Sequence, residues 1–298
     1  MKKIILFFTV AAVCSPYALK AQLDDLESML LDEMEEITDY TTSTFLSENV
    51  VVGQSTLLQE QNNIAIRFKH HFNPLKEGSE NAFGFNNAYI YAELGYAPAD
   101  WVNLGIGYGN YNNSFNGSAK FRALRQSTGK VLMPVSLSFY GTVNYRSKFP
   151  DGYEFSDRLA YTAQALISRR FCDFFSLQLA PTYLHRNLVP TPQDQNDLFA
   201  LGTGASLKLA KNLRLNLEYY WVANNKQTAT KYYDPFSVGL SYQTSRHTFE
   251  LFLTNTQFME DSYMLSETRG DFWSGDIRVG FNIAINFTVG KKHKGSEE

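Results

Sequence analysis

The feature that most constrains this fold is a series of segments, each about ten residues long, in which apolar and polar residues alternate. In the segment 277–289, isoleucine, valine and phenylalanine fill every odd-numbered position, and smaller or polar residues fill the even ones. Side chains of a strand point to opposite faces in turn, so this segment predicts a strand with one apolar and one polar face. A soluble sandwich would explain one such strand. A dozen of them behind a secretion signal predict an all-β fold, a transmembrane antiparallel up-and-down β-barrel with its apolar face toward lipid.

The first 21 residues have the pattern of a signal peptide. Lys2 and Lys3 precede an apolar run, residues 4–13, which is too short to span a bilayer. We place the cleavage site after Ala21. The alternative, a lipoprotein acylated on Cys14, is disfavoured because a valine precedes that cysteine where a small residue is expected. No later segment has about 18 continuous apolar residues, so the sequence predicts no transmembrane helix.

Charge and composition divide the rest of the chain. We expect an acidic leader and a lumen or rim segment at 22–58, a barrel at 59–290 and a polar tail at 291–298. Residues 23–37 contain seven acids and no base, with apolar residues every three or four positions, which predicts a short acidic amphipathic helix. Loss of three signal-peptide lysines moves the net charge from −3 to about −6. The barrel itself is nearly neutral, which argues against a nucleic-acid partner.

The aromatic and cysteine contents fit the same interpretation. The chain has 18 tyrosines and 23 phenylalanines, enough for aromatic girdles at both membrane interfaces. Only Cys172 remains after cleavage, so no internal disulfide and no cysteine metal cluster is expected. We predict no cofactor and no metal. The expected partners are outer-membrane lipid and the barrel-insertion machinery, and the sequence leaves the oligomeric state open.

The alternation predicts twelve strands joined by turns that are alternately short and long. Bacterial barrels have short periplasmic turns and long extracellular loops, so the pattern fixes an orientation in the outer membrane. Residues 111–114 are the exception, a connection that should be long and is short. The predicted strands are 61–72, 87–97, 101–110, 115–127, 132–147, 157–171, 173–187, 197–210, 213–224, 235–244, 247–257 and 276–289. Residues 41–52 also look like a strand, but a thirteenth would break the even count. We therefore expect 41–58 outside the ring, in the lumen or against the periplasmic rim.

Two resemblances support this prediction. The final strand has a polar residue, a glycine and alternating apolar positions, and is similar to the C-terminal signal read by the barrel-insertion machinery. Gly280, Ile283, Ile285 and Phe287 occupy its positions, although the chain continues to Glu298. The mature chain also resembles an uncharacterised family of Bacteroidota outer-membrane β-barrels, domain of unknown function 5777, through residues 23–36, 44–55 and 119–126. That resemblance implies location and architecture, not an activity.

The predicted lumen face is the one surface of the barrel whose residues suggest a function. The polar parity of the strands predicts a lumen with a surplus of basic side chains, and charged rings set the selectivity of pores. The alternative is that these charged side chains pair with one another and fill a narrow barrel. The predicted lumen residues are Arg67, Lys69, Glu93, Lys120, Arg122, Arg146, Arg170, Lys208, Arg214, Glu218, Glu250 and Arg278.

No catalytic constellation is predicted. Gly105, Gly107 and Gly109 lie on one face of a strand with no following helix, so they are not a dinucleotide fingerprint and are expected to let the wall bend. Ser245 and His247 are reminiscent of an outer-membrane lipid hydrolase, but they fall in a predicted periplasmic turn with no convincing acid beside them. The expected function is structural or that of a narrow passive channel with a basic lumen. A lipid hydrolase or a receptor is the alternative.

Overall fold

A computed structural model describes residues 26–29, 37–42, 44–224 and 230–289. The predicted signal peptide, most of the acidic leader and the polar tail at 291–298 lie outside these residues. Within the leader, residues 26–29 are helical. No helix in the described part of the chain is long and apolar enough to cross a membrane.

Twelve antiparallel strands form one closed barrel, which confirms the predicted architecture and strand number. Consecutive barrel strands are neighbours throughout, so the topology is up-and-down. The described strands are β1 (Thr38–Tyr40), β2 (Asn63–Pro74), β3 (Ala88–Ala99), β4 (Val102–Gly109), β5 (Ser114–Leu124), β6 (Ser127–Gly129), β7 (Ser136–Arg146), β8 (Leu159–Cys172), β9 (Phe175–Arg186), β10 (Asp197–Ala210), β11 (Leu213–Val222), β12 (Phe236–Gln243), β13 (His247–Thr254) and β14 (Arg278–Thr288). All except β1 and β6 belong to the barrel.

The barrel closes where its first and last strands meet. β14 pairs with β2 over nearly its whole length, from Arg278 opposite Pro74 to Thr288 opposite Asn63. An open edge in lipid would leave backbone groups without partners at a cost of several kcal/mol each, so closure is a condition of stability in the membrane. Both ends of the ring therefore lie at the same rim, as an even strand count requires.

The two rims differ in the length of their connections. At the rim that holds Asn63 and Thr288, here called the short-turn rim, most strands are joined by two or three residues. The opposite rim, here called the long-loop rim, carries the connections 75–87, 147–158, 187–196, 223–235 and 255–277. Residues 110–113 are a short connection at this rim, as the sequence indicates.

One predicted turn, residues 127–130, is wrong. β5 ends at Leu124 and β7 begins at Ser136, earlier and later than the predicted strands. Pro134 has no backbone N–H for a ladder, which favours a break in the strand at this point. Residues 127–129 pair instead with Thr38–Tyr40 in a separate two-stranded sheet.

Tyrosine hydroxyls mark the membrane interface near the long-loop rim. On the outer face, Tyr183 donates to Asp197 at 2.6 Å and Tyr219 donates to Asp234 at 2.8 Å. Each ring lies toward the apolar band while its hydroxyl reaches a carboxylate at the strand end. This is the arrangement that an aromatic girdle needs, with one apolar and one hydrated end for each side chain.

Candidate functional site in the barrel lumen

Residues 44–62, here called the lumen segment, lie inside the barrel and are not a barrel strand. Ser55 is fully buried, and Phe45 and Val50 are almost so. The segment bonds to lumen side chains from strands on all sides. The wall residues that do so are Arg67, Asn103, Lys120, Ser138, Ser168, Gln178, Glu218 and Asn282.

A tight turn in the lumen segment, residues 50–53, is hydrogen-bonded to one carboxylate of the barrel wall. The backbone N–H of Val50 donates to the carbonyl of Gly53, which closes the turn. The N–H groups of Val51, Val52 and Gly53 donate to the carboxylate of Glu218 at 3.0–3.3 Å. Gly53 also lies against Tyr220, where a Cβ would come within 2.2 Å of the phenol oxygen. The turn is thus fitted to both wall residues.

A charge network anchors the other end of the segment. Arg67 of β2 forms ion pairs with Glu48 of the lumen segment and with Glu93 of β3. Burial disfavours the ionised form of Glu48, but the charges of Arg67 and Lys120 outweigh burial and hold the pKa of this carboxyl below its usual value. The ammonium of Lys120 also donates to the carbonyls of Glu48, Ser55 and Leu57.

A second segment enters the lumen from the long-loop rim. Residues 255–268, here called the inserted loop, are buried throughout and contain the helix α1 (Asp261–Glu267). Ser114 donates to Glu260 at 2.5 Å, and Gln164 donates to Asp261 at 3.2 Å. Burial raises the pKa of Asp261 to about 6, although the nearby Lys69 charge opposes this shift. The carboxyl groups of Glu260 and Asp261 therefore bond to neutral wall side chains, within reach of the Lys69 charge.

An apolar layer lies where the two inserted segments meet the wall. Valines 50–52 and Phe45 belong to one buried cluster with Met264 and Leu265 of the inserted loop. The wall contributes Ala160, Leu184, Leu198, Ala200, Tyr220, Val222 and Phe252 to the same cluster. These wall residues are not among the predicted lumen residues. Their signal was present in the sequence, because each is an apolar residue at a lumen-facing position.

The predicted lumen residues all lie on the inner face, at different depths. Arg67, Lys69, Lys120, Arg146, Arg214, Glu218 and Glu250 are buried, and Glu93 is largely so. Arg122, Arg170 and Arg278 are half-buried near the rims, and Lys208 is exposed at the short-turn end of β10. Among the described residues, the fully buried charged side chains are six basic and six acidic, because acids of the inserted loop offset the basic wall.

An open vestibule remains below the lumen segment. It has a volume of about 600 Å³ at the short-turn rim. Its floor is formed by Leu46, Ser47 and Glu48 with residues 57–60, and its side by Arg67, Arg246 and Asn286. By contrast, the void beside Glu48, Gln59 and Lys120 measures only about 10 Å³. Solvent at this rim therefore reaches the segment but finds little space beyond it.

Each of the three glycines of β4 lies in close contact with a side chain on the inner face. A Cβ at Gly105 would lie 2.4 Å from the Ser118 hydroxyl oxygen, and one at Gly107 would lie 2.1 Å from the Tyr91 hydroxyl. A Cβ at Gly109 would lie 2.1 Å from a carboxylate oxygen of Glu260. These glycines therefore make room on the inner face for Ser118, Tyr91 and the inserted loop.

The proposed assembly residues occupy both faces of β14. Ile283, Ile285 and Phe287 have outward parity, and Phe287 is 44% exposed opposite Ile64. Gly280 faces the lumen, where a Cβ would meet the Phe252 ring at 2.2 Å. Gly280 therefore has a packing role that is independent of any assembly signal.

Ser245 and His247, the residues considered for a hydrolase, form no catalytic pair in the described chain, and the adjacent histidines of β2 point to opposite faces of the wall. The His247 ring stacks on Phe249, and no hydrogen bond joins the described side chains of Ser245 and His247. His71 faces the lumen and contacts the Thr256 carbonyl, whereas His70 stacks on Phe281 outside. Among the described residues, no group of three potential metal-ligating side chains occurs.

Solved structures with a similar barrel include two porins and an enzyme. The NanC porin is 7% identical, with a TM-score of 0.48 over 76% of this chain and 100% of that chain. The KdgM porin is 10% identical, with a TM-score of 0.46 over 76% and 99%. Outer membrane phospholipase A from Escherichia coli is 11% identical, with a TM-score of 0.40 over 77% and 91%. Similarities this distant carry no argument about activity.

Among curated protein sequences, none matches this chain. A closed antiparallel barrel with an apolar outer face is the architecture of outer-membrane proteins, and this protein is an outer-membrane β-barrel. The family model described as membrane bound beta barrel domain, domain of unknown function 5777, matches residues 45–287. That range includes all but the first residue of the lumen segment and all but the last residue of the twelve barrel strands. The chain therefore belongs to this family of membrane-bound β-barrels.

Proposed function

We propose that this protein is a gated channel, in which the lumen segment is the gate that closes the pore at rest and the inserted loop stays in the lumen. The observation that carries the proposal is that the ring of strands closes without residues 44–62, because β14 pairs directly with β2. Up to Gln61 the lumen segment pairs with no barrel strand, and it is held by hydrogen bonds, ion pairs and the apolar layer around Phe45 and residues 50–52. Its withdrawal would therefore leave every barrel ladder intact, at the cost of these polar contacts and of the burial of that layer.

The charges of the wall favour anions in the open state. In the closed state, Glu48 lies against Arg67 and Lys120, and the ion pair with Arg67 occupies the narrow part of the lumen. Withdrawal of the segment removes the Glu48 charge, so Lys120 loses a nearby carboxylate and Arg67 keeps only its ion pair with Glu93. A surplus of basic groups in a pore attracts anions and repels cations. Open events should therefore show a reversal potential shifted toward that of the anion.

A reversible lock tests the gate directly. The hydroxyl oxygens of Thr56 and Ser168 lie 2.5 Å apart, so cysteines at both positions should join the lumen segment to β8. The background is Cys172→Ser, because Cys172 is a free, exposed thiol. In planar bilayers we expect no current from the oxidised double variant and brief current steps after reduction. The Cys172→Ser protein is the matched control and should open with or without reductant.

A deletion of residues 23–58 provides the second arm of this test. The ring should remain folded and conduct steadily, since the deletion removes the lumen segment up to Leu58. If the reduced double variant, the control and the deletion variant all gave no current in planar bilayers, the channel proposal would be contradicted. A closed structural barrel would then be the remaining function. Release of fatty acid from lipid, lost on His247→Ala, would support the hydrolase instead.

A further inference from the structure

Two buried arginines converge on the inner face near the long-loop rim. Arg146 ends β7 and Arg186 ends β9, with β8 between them. The β8 residue in line with Arg186 is Ala160, which is 2% exposed and has a side chain too short to fill the space between two guanidinium groups. Only a methyl group thus lies on the wall between the two arginines, and this position, at the edge of the apolar layer to which Ala160 belongs, is here called the gap.

The guanidinium of Arg186 is buried with most of its donors unused. The residue is 1% exposed, and its Nη2 donates to the carbonyl of Gln195 at 2.7 Å. Its Nε and Nη1 have no hydrogen-bond partner in the described part of the chain. The neighbouring Asp194 is buried too, and its Oδ1 is likewise without a described partner. A buried polar atom of this kind destabilises the fold if nothing else fills the site.

Arg146 is also incompletely satisfied. Its guanidinium lies over the Tyr263 ring at 4.7 Å from the centroid. Its closest carboxylate oxygen, Glu267 Oε1, lies 3.4 Å from Nη2, and neither atom makes a hydrogen bond to a described residue. The other oxygen of Glu267 accepts from the Tyr111 hydroxyl at 3.2 Å. The ion pair is therefore loose, with a donor available for a ligand.

Charges of both signs surround the two buried guanidinium groups. Glu267, Arg146 and Asp194 are close enough to Arg186 to act on its charge. Arg269, which is exposed, acts in the same way on the phenols of Tyr111 and Tyr232, beside the same Glu267. Arg146, Arg186, Arg269, Asp194 and Glu267 are here called the mouth cluster.

We propose that the mouth cluster binds one small oxyanion from solution, a carboxylate or a phosphate. Guanidinium groups present forked N–H donors that match the two oxygens of such a group, and the unused Nε and Nη1 donors of Arg186 are available to it. The cluster lies on the lumen face, so its ligand arrives from the aqueous side and not from the bilayer. This site is separate from the contacts that hold the lumen segment, so it does not depend on the proposed gate.

Calorimetric titration of the full-length protein in detergent tests the proposal. Inorganic phosphate and glucuronate are the two oxyanion probes, and glucose is the uncharged control, all at constant ionic strength. We expect saturable binding of one equivalent of phosphate, glucuronate or both, and none of glucose. The better probe identifies the preferred oxyanion. Failure of both oxyanions to bind would show that the gap holds only water and would overturn the proposal.

Two variants locate the site. Arg186→Gln should weaken the affinity by roughly tenfold or more, since a charge-assisted hydrogen bond is lost. Ala160→Leu keeps every charge but fills the gap, and should weaken binding similarly. Arg169→Gln, which removes an exposed charge near Phe171, is the matched control and should bind like the wild type. Heat-modifiable migration on gels confirms that each barrel is folded. Unchanged affinity in both site variants would place any binding elsewhere and refute the assignment.

Discussion

Glu218 is the residue whose loss should most affect the lumen segment. Replacement by leucine leaves the N–H groups of Val51, Val52 and Gly53 buried without their acceptor. We expect Glu218→Leu to weaken the hold on the segment by about 1.5–3 kcal/mol, the usual value for hydrogen bonds to a charged group. The measurement is open probability in planar bilayers, which should rise.

Two controls accompany that variant. Glu218→Gln keeps one acceptor oxygen and should give an intermediate open probability. Glu80→Gln changes an exposed carboxyl in a long loop and should behave like the wild type. An unchanged open probability in Glu218→Leu would show that the turn at 50–53 does not control the gate.

The pKa values of Asp261 and Glu48 predict opposite responses to acid. For Asp261, burial raises the pKa from 3.8 to about 6, so ionisation disfavours the folded loop and its stability increases as the pH falls through 6 toward 3.8. The lowered pKa of Glu48 means that its stabilising contribution is present above 4.5 and is lost as the pH falls below that value. Mild acid should therefore tighten the inserted loop, and stronger acid should loosen the lumen segment.

Thermal unfolding of Asp261→Asn tests the first response. Asparagine keeps an oxygen that can accept from Gln164 but carries no charge. At pH 7.5 the variant should be more stable than the wild type by roughly 1–3 kcal/mol, from 1.36 kcal/mol per unit of pKa shift. Near pH 4.5 the difference should shrink. An equal difference at both pH values would contradict the proposed cost of ionisation.

At the level of single residues, strand alternation predicts whether a side chain faces the lumen or the lipid, and little more. Strand alternation identified lumen-facing side chains such as Arg67 and Glu218, because it requires only neighbours along the chain. It could not show that Arg67 pairs with Glu48, since that contact depends on where a non-strand segment lies. The glycines of β4 illustrate the same limit. Their spacing was visible, but the need for space beside Glu260 arises from a loop about 150 residues away.

Among the elements, β14 has the most direct consequence for folding. Its outward residue Phe287 pairs with Ile64 of β2 at the seam of the barrel. A charged side chain here would face the lipid interface and weaken the closing pair. We expect Phe287→Asp, and truncation before Ile283, to reduce the folded protein in outer-membrane fractions several-fold, as measured by heat-modifiable migration. A deletion of residues 291–298 is the control and should be harmless, whereas normal levels of the truncated protein would show that this strand does not close the barrel.

Strands were easier to predict than the elements inside the ring. Each strand is predicted by alternation of apolar and polar residues over eight or more positions. The requirement for an even number of strands then excluded residues 41–58 from the barrel wall. The inserted loop gave no such signal. Its residues 258–268 include both acids and aromatics, a composition that equally fits a solvated loop. Only the complementary charge and volume of the enclosed lumen decide that Glu260 and Tyr263 are buried.

At the scale of the whole molecule, the charges of the barrel wall and those of the two segments inside it are complementary. The wall supplies most of the buried basic groups, and the two inserted segments bring acids such as Glu48, Glu260 and Asp261. The apolar layer formed by residues from both segments and from the wall lies between these polar regions. A passive pore with a basic lumen, one of the functions expected from the sequence, would lack these fillings. Their presence is the reason that a gate is the better proposal.

The orientation of the whole molecule in the membrane can be tested with cysteines. Long loops lie outside the cell and short turns in the periplasm of outer-membrane barrels. Cys172, exposed at the short-turn end of β8, should therefore resist an impermeant thiol reagent in intact cells and react in lysed cells. In a Cys172→Ser background, a cysteine at the exposed Gln193 should react in intact cells, whereas one at Lys211 should not. The reverse pattern would invert the topology, place the vestibule outside the cell and turn the mouth cluster toward the periplasm.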